Sequence, residues 1–161
     1  MILIALGANL PSHAGPPAST LKHALGKLDG KGVKIRSGSS FYETPAWPDP
    51  ADPAFVNAVA AVQTILQPVE LLAVLHGVET AMGRLRSAPN APRTLDLDLL
   101  DYEGRIMDGP VVLPHPPLAE RSFVLVPLAE VAPDWRHPVS GRGVGELLAD
   151  LPDRDVPKKL A

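Results

Sequence analysis

Hydrophobic and polar residues alternate most regularly in residues 92–100, Pro-Arg-Thr-Leu-Asp-Leu-Asp-Leu-Leu. Such alternation predicts a β-strand, in which residues i and i+2 point to the same side of a sheet. Asp96 and Asp98 then share one face, with Cα atoms roughly 7 Å apart, and the leucines around them share the other. We expect the leucines to face a core and the two carboxylates to face outward together.

The rest of the chain shows both strand and helix periodicities. Strands are predicted where apolar residues alternate or run together, at residues 2–6, 33–42 and 55–64. Helices are predicted where apolar residues recur three and four positions apart, at residues 17–28, 68–83, 121–130 and 143–151. The order of the first six elements predicts an α+β fold. It is a ferredoxin-like βαββαβ sandwich with helices packed on an antiparallel sheet and extra helices at the C-terminal end.

Three connections carry turn or loop signals. Gly7, Ala8 and Asn9 are interpreted as a tight turn without a phosphate role, because no Gly-Lys-Ser/Thr follows them. Residues 102–105, Tyr-Glu-Gly-Arg, are interpreted as a hairpin turn that leads out of the acidic strand. Residues 44–50 hold three prolines and one tryptophan, which favours either an ordered substrate-binding loop or a surface loop with a packed indole ring.

Length and charge narrow the class of protein. A chain of 161 residues suits one domain, residues 1–161, with a sizeable core. The net charge of −3 provides no basic field, so neither nucleic acid nor a membrane is expected as a partner. Cysteine is absent, which excludes disulfides and thiolate metal sites, and the apolar start is too short for a signal peptide. We expect a cytoplasmic monomer that acts on small molecules.

The two aspartates are candidate metal ligands. Like charges about 7 Å apart repel by roughly 2 kcal/mol at an effective dielectric constant of about 20, a cost that a cation offsets. Magnesium commonly binds one or two carboxylates together with substrate phosphates, so Asp96 and Asp98 could hold a metal–nucleotide complex or bridge two ions. The alternative is that both belong to the solvent-exposed face of an antiparallel strand, and the motif alone favours that alternative.

A cationic segment lies directly before the acidic strand. Residues 83–93 contain Arg84, Arg86 and Arg93 and no acid. The planar guanidinium matches phosphate oxygens with two parallel hydrogen bonds. Arginines beside two carboxylates therefore favour polyphosphate binding, whereas the arginines alone would be compatible with a solvent-exposed loop.

Two other polar residues stand in unusual surroundings. Asn57 lies among apolar residues of a predicted strand, where its amide could read the edge of a heterocycle or could satisfy a neighbouring backbone group. His115 stands between prolines that restrict its backbone, and it could hold a phosphate oxygen or be structural.

These segments together carry a resemblance to a known family. The relevant motifs are residues 92–100, Ser-Ser-Phe-Tyr-Glu-Thr-Pro at 39–45, Phe-Val-Asn-Ala at 55–58, Leu-Pro-His-Pro at 113–116 and Glu-Arg-Ser-Phe-Val-Leu at 120–125. Over nearly its whole length the chain resembles the 6-hydroxymethyl-7,8-dihydropterin pyrophosphokinase family of folate biosynthesis. The resemblance implies a magnesium-dependent transfer of diphosphate from ATP to the hydroxymethyl group of a reduced pterin, with release of AMP.

The resemblance also implies roles for individual residues. Asp96 and Asp98 match positions that hold two magnesium ions, and the residues expected to be catalytic are Arg84, Arg93, Asp96 and Asp98. The expected ATP-binding residues are Glu79, Arg86, Arg93, Leu99, His115 and Arg121. The expected pterin-binding residues are Thr44, Pro45, Trp47, Phe55, Asn57 and Phe123. The aromatic rings among them are expected to sandwich the pterin. No general base is expected, because diphosphoryl transfer mainly requires positioning and charge neutralisation.

The chain departs from the family in three places. Residues 87–91 form a shorter segment where a Glu-Arg-Trp-Gly run is common. Pro116 follows His115 where an aromatic residue is common, and Pro110 stands where an arginine is common. The shorter segment affects the expected closure over the substrates. The two prolines affect the expected contacts to adenine and ribose.

Two other classes of protein would explain part of the pattern. Another Asp-x-Asp phosphotransferase or glycosyltransferase usually needs a domain larger than 161 residues. A ferredoxin-like ligand-sensing module would explain the fold and an apolar pocket, but not the aspartates and arginines together.

Overall fold

The computed structural model describes residues 1–46, 49–84, 92–152 and 156–160. The strands in this part of the chain are β1 (Ile2–Ala8), β2 (Lys34–Gly38), β3 (Tyr42–Thr44), β4 (Phe55–Gln63), β5 (Asp96–Tyr102), β6 (Met107–Asp108), β7 (Val112–Leu113) and β8 (Lys158–Lys159). The helices are α1 (Pro17–Asp29), α2 (Pro68–Ala81), α3 (Ser122–Val131) and α4 (Val144–Ala149), and a 3-10 turn spans Leu118–Glu120. None of the helices in the described ranges is long and apolar enough to cross a membrane.

Six of the strands form one antiparallel sheet. β1 and β4 lie side by side at its centre, β5 flanks β1, and β2 and β3 both pair with β4. The short β8 adds to the outer side of β3, and β6 and β7 form a separate pair. This strand order, with α1 after β1 and α2 before β5, confirms the predicted ferredoxin-like α+β fold.

The register of the central strands aligns the polar positions. Gly7 of β1 lies opposite both Asn57 of β4 and Asp96 of β5, and Ala5 lies opposite Asp98. Directly opposed residues of antiparallel strands point to the same face of a sheet. Asn57 and the two aspartates therefore share one face, at the end of the sheet where β1 ends and β4 and β5 begin.

Each face of the sheet is covered by its own helices. α1 and α2 pack on one face over a core that includes Leu95, Leu97 and Leu99. α3 and α4 pack on the opposite face over a second core that includes Leu125 and Trp135. The alternation at the start of β5 is thus confirmed, because Leu97 and Leu99 enter the first core while Asp96 and Asp98 face the side of α3.

The end of α2 explains how Arg84 is turned toward β5. Gly83, the second residue after the end of α2, has a φ of +85°, a conformation that favours glycine. The chain then reverses, and the Arg84 N–H donates to the Glu79 carbonyl at 3.1 Å. This turn places Arg84 against the last turn of α2.

Two expectations about the strands are wrong. Gly7 lies inside β1 and not in a turn, because pairing with both neighbouring strands continues to Gly7. The strand predicted at residues 33–42 is divided into β2 and β3. Ser39 interrupts it, since its N–H donates to the Val59 carbonyl at 2.8 Å while its hydroxyl accepts the Val59 N–H at 3.0 Å.

The hairpin expected after β5 is also wrong. The turn at residues 102–105 forms, with the Arg105 N–H donating to the Tyr102 carbonyl at 3.0 Å, but β6 pairs with β7 instead of β5. Groups on β5 that a hairpin partner would use are already bonded. Glu79 accepts the Leu97 N–H at 2.8 Å, and the His115 N–H donates to the Leu100 carbonyl at 2.9 Å.

Candidate active site

A cavity of about 380 Å³ opens at the end of the sheet where β1 ends and β5 begins. Nine predicted site residues line it: Thr44, Pro45, Phe55, Asn57, Arg93, Asp96, Asp98, Arg121 and Phe123. Residues predicted to bind a pterin and residues predicted to bind ATP therefore share one cavity. Gly7, Pro117 and Glu120 line it as well, although their sequence context assigned none of them to the site.

Asn57 is held in place by its neighbours on both sides. It is 6% exposed, and its Nδ2 donates to Thr44 Oγ1 at 3.1 Å. A Cβ added to Gly7 would lie 2.9 Å from Asn57 Oδ1, closer than ordinary van der Waals contact. The missing side chain of Gly7 therefore leaves the space that the Asn57 amide occupies.

Arg93 contacts both halves of the cavity. Its Nη1 donates to Asp96 Oδ2 at 3.1 Å, and its guanidinium carbon lies 5.8 Å from the centre of the Phe55 ring. Arg121 stands in the same relation to the Phe123 ring, at 5.5 Å. Both are cation–π contacts. The Phe55 and Phe123 rings, both predicted to stack on a pterin, thus each have an arginine predicted to bind ATP beside them.

Arginine side chains of the protein offset charge of the acidic pair, and an imidazole lies beside it. Arg84 Nη1 lies 2.7 Å from Asp96 Oδ1, while Arg93 contacts the second oxygen of the same carboxylate. His115 Nε2 lies 3.5 Å from Asp98 Oδ1. The repulsion between the aspartates therefore does not by itself require a divalent cation, which corrects the charge argument from the sequence.

The surroundings of Asp98 favour its ionised form. Burial raises the pKa of Asp98, but the hydrogen bond and charge of His115 lower it, and the charges of Arg121 and Arg84 act in the same direction. The net effect is a pKa below the usual value of an aspartate. Asp98 is thus held as a carboxylate, the form that can bind a cation.

Glu79 and Leu99, both predicted to bind ATP, have buried side chains. Glu79 is 2% exposed and accepts hydrogen bonds from Arg84 Nη1 at 2.5 Å and from the Leu97 N–H at 2.8 Å. Burial raises the pKa of Glu79, although these two donors oppose the shift. Leu99 lies in the core under α1 and α2. Within the described chain neither lines the cavity, and their contacts with ATP stay predictions.

Some predictions lie outside the described residues, and one contributor was missed. Trp47, Arg86 and the shortened segment 87–91 are outside the ranges that the structure describes. Asn9, placed in a turn by the sequence pattern, is 2% exposed and bonds to the backbone of Arg93. A single polar residue after a strand is usually exposed, so no local signal indicates this burial.

The donor set fits magnesium bound jointly with phosphates. Asp96 and Asp98 present carboxylate oxygens to one cavity. The described residues contain no group of three or more His, Cys, Asp or Glu side chains that could hold a metal ion by themselves. Magnesium commonly takes one or two carboxylates and completes its shell with phosphates and water, so two aspartates are sufficient.

The fold and the cavity define a ferredoxin-like phosphotransferase, with carboxylates and arginines beside an aromatic pocket. Comparison with known families then narrows this class. Residues 3–133 match the family model described as 7,8-dihydro-6-hydroxymethylpterin-pyrophosphokinase (HPPK). The chain belongs to this family, and it is a pyrophosphokinase of folate biosynthesis.

Individual proteins support the same assignment. The 2-amino-4-hydroxy-6-hydroxymethyldihydropteridine pyrophosphokinase of Methylorubrum extorquens is 40% identical over 149 residues, which cover 92% of this chain and 91% of that protein. The enzyme of the same name from Pseudomonas aeruginosa is 38% identical over 153 residues, which cover 94% and 91%. The crystal structure of Plasmodium falciparum HPPK-DHPS with pteroate has a TM-score of 0.72 at 14% identity and shares the fold. This chain spans 43% of that longer chain.

Proposed function

We propose that the cavity transfers diphosphate from ATP to the hydroxymethyl oxygen of 6-hydroxymethyl-7,8-dihydropterin and releases AMP. The observation that carries this proposal is the position of Arg93. Its guanidinium contacts Asp96 and lies over the Phe55 ring, so a site for phosphates adjoins a site for a flat heterocycle. Membership of the pyrophosphokinase family supports the same reaction.

ATP is proposed to bind on the side of the acidic pair. Asp96 and Asp98 would hold two magnesium ions, which when bound would neutralise charge on the phosphate oxygens and make the β-phosphorus more electrophilic. Arg84 and Arg93 then exchange the Asp96 carboxylate for phosphate oxygens, since a guanidinium binds either group with similar geometry. The further ATP contacts in this proposal are made by Glu79, Arg86, Leu99, His115 and Arg121.

The pterin is proposed to bind on the side of Asn57. The Asn57 amide reads the ring edge, and its bond to Thr44 keeps its orientation before the ligand arrives. The Phe55 and Phe123 rings exclude water from the faces of the heterocycle. Pro45 and Trp47 complete this side of the site in the proposal.

The reaction itself needs positioning more than proton transfer. The hydroxymethyl oxygen forms a bond to the β-phosphorus, and the bond from that phosphorus to the oxygen shared with the α-phosphate breaks. The electron pair of the broken bond leaves with AMP, and the hydroxyl proton passes to water. The arginines stabilise the charge on the transferred group, so no side chain is assigned as a general base.

The direct test is AMP formation from ATP by the purified protein. AMP and the pterin diphosphate should appear in equal amounts only when ATP, the reduced pterin and magnesium are all present. Turnover without added magnesium, after dialysis against a chelator, would contradict the metal assignment. AMP release without the pterin would indicate hydrolysis and would contradict the proposed acceptor.

Replacement of Asn57 tests the pterin side separately. Asn57→Ala should weaken pterin binding by about 1 to 3 kcal/mol, because donors and acceptors of the ligand lose their partner, and ATP binding should change little. Gln63→Ala, at the exposed opposite end of the same strand, is the matched control. Equal losses for both ligands by calorimetry would mean that the amide is structural.

Further parts of the proposal concern the state of the protein. Residues 1–161 act as a single pyrophosphokinase domain, and the protein is a cytoplasmic monomer. Light scattering of the active fraction at micromolar concentration should give a mass near 17.0 kDa. A mass of twice that value across the dilution range would contradict the monomer.

A further inference from the structure

Asn9 is a buried polar residue directly after β1, and its hydrogen bonds reach two other segments. It is 2% exposed, and it does not belong to the cavity lining among the described residues. Its Oδ1 accepts the Arg93 N–H at 2.8 Å, and its own N–H donates to the Arg93 carbonyl at 3.1 Å. Its Nδ2 donates to the Pro53 carbonyl at 3.0 Å. One amide therefore connects the chain before β4 to the chain before β5.

These bonds fix the backbone from which the Arg93 side chain extends. Both backbone polar groups of Arg93 bond to Asn9, and the Leu10 N–H adds a second donor to the Arg93 carbonyl at 3.2 Å. A residue held through both its N–H and its carbonyl has little freedom to shift or rotate. The reach of the guanidinium toward Asp96 is then set mainly by its side-chain rotamer.

The bond to Pro53 adds a second constraint. Pro53 lies two residues before Phe55, whose ring lies 5.8 Å from the Arg93 guanidinium carbon. Asn9 thus holds the backbone of Arg93 and the backbone two residues before Phe55, which carry the two partners of this cation–π contact. The distance between the Arg93 guanidinium and the Phe55 ring depends on these two backbone positions.

We propose that Asn9 is a positioning residue, which sets Arg93 between the acidic pair and the Phe55 ring. In this way it aligns the diphosphate with the acceptor. The inference rests on the proposed function, because it concerns the alignment of the two proposed substrates. Asn9 touches neither substrate and acts through Arg93. Since misalignment affects the transition state more than ground-state binding, its loss should lower kcat more than it raises either KM.

The experiment is a double-mutant cycle on kcat. Asn9→Ala should lower kcat at least tenfold, with KM for ATP and for the pterin changed by less than threefold. In an Arg93→Ala background the same substitution should lower kcat less than twofold, because the residue through which Asn9 acts is absent. Equal losses of kcat in the two backgrounds would overturn the inference, and so would a kcat within threefold of wild type for Asn9→Ala.

Two further variants separate positioning from stability. Thr20→Val removes a buried hydroxyl of α1 that lies 2.6 Å from Ser12 Oγ, in the segment that follows Asn9, and it should lower the melting temperature without lowering kcat. Asn9→Asp keeps the acceptor for the Arg93 N–H and loses the donor to Pro53, so its kcat should lie between those of Asn9→Ala and wild type. If Asn9→Ala does not fold, Asn9→Asp and Asn9→Leu replace it in the double-mutant cycle. Because aspartate keeps the acceptor for the Arg93 N–H and leucine does not, an equally low kcat in both variants would overturn the inference that this contact supports kcat.

AMP formation by the wild-type protein distinguishes a failure of the proposed reaction from a failure of the proposed role of Asn9. If wild type forms no AMP with ATP, pterin and magnesium, the proposed function fails and this inference fails with it. If wild type is active and the variants behave additively, only the role of Asn9 fails.

Discussion

Gly7→Ala is the substitution whose effect follows most directly from the geometry. The new Cβ would lie 2.9 Å from Asn57 Oδ1, whereas ordinary contact begins at 3.4 Å, so the amide must move by about 0.5 Å (3.4 − 2.9). Thr44 lies on the opposite side of the Asn57 amide from Gly7, so movement of that size away from Gly7 would compress the 3.1 Å hydrogen bond to about 2.6 Å, shorter than N–H···O bonds allow, and the amide must rotate and break that bond instead. The amide then no longer presents its donors and acceptors in the original orientation.

The effect on ligands should be selective. Pterin affinity should fall by about 1 to 3 kcal/mol, roughly 5- to 150-fold, because the displaced amide leaves polar groups of the ligand unpaired. Affinity for a nonhydrolysable ATP analogue should stay within twofold. The melting temperature should change little, since alanine in a strand gains about 0.5 to 1 kcal/mol over glycine and offsets a lost hydrogen bond of about 1 kcal/mol.

The assay is calorimetric titration of each ligand, with the pterin titrated in the presence of the ATP analogue. Gly38→Ala is the matched control, because Gly38 also lies in a strand of the sheet and its added Cβ would meet nothing within 4 Å. The control should leave both affinities unchanged. Pterin affinity within twofold of wild type for Gly7→Ala would refute the assignment of Asn57 as the group that reads the pterin.

Two other predictions concern charge. Asp96→Asn and Asp98→Asn should each lower turnover more than 100-fold, with Asp108→Asn as a control. In the absence of ligands, Asp96→Asn should lower the free energy of unfolding by about 1 kcal/mol or less, because Arg84 and Arg93 lose a partly exposed partner. A melting temperature of the variant above that of wild type would contradict this. Tyr42 donates to Glu130 at 2.6 Å, and this bond raises the pKa of Tyr42 to about 12. Burial raises the pKa of Glu130, but bonds from Tyr42 and Ser40 lower it overall. The stability that the lowered Glu130 pKa contributes is present above the unfolded-state pKa of about 4.3 and is lost as pH falls through the folded-state value. In a series of melts at acid pH, the melting temperature of Tyr42→Phe should therefore depend less steeply on pH than that of wild type. An equal dependence in both proteins would show that the pair contributes nothing.

Local patterns were sufficient for the long helices, for the central strands and for one face of the site. The alternation in β5 separates Asp96 and Asp98 from the leucines because side chains in a strand point to opposite faces in turn, and this does not depend on distant residues. The spacing of apolar residues likewise indicated α1 and α2. Arg84 and Arg93 stand close to the aspartates in the sequence, so their proximity in space could be expected.

The register between strands was not accessible in this way. Gly7 was interpreted as a turn residue, and only the pairing of β1 with β4 and β5 shows it between Asn57 and Asp96. Glu79 matched an ATP-binding position by resemblance, yet its carboxylate lies buried against the Leu97 N–H. In both cases the deciding neighbour comes from another element.

The sequence by itself thus determined the fold class, the acidic face of β5 and the chemistry available near it. The tertiary structure decided which cations offset the aspartates and which buried amides hold the site in place. The physical reason is the range of the interactions: periodicity reflects contacts over three or four residues, whereas the bond between Asn9 and Arg93 joins positions 84 residues apart. A contact of that kind exists only after the strands have paired and the loops at one end of the sheet have come together.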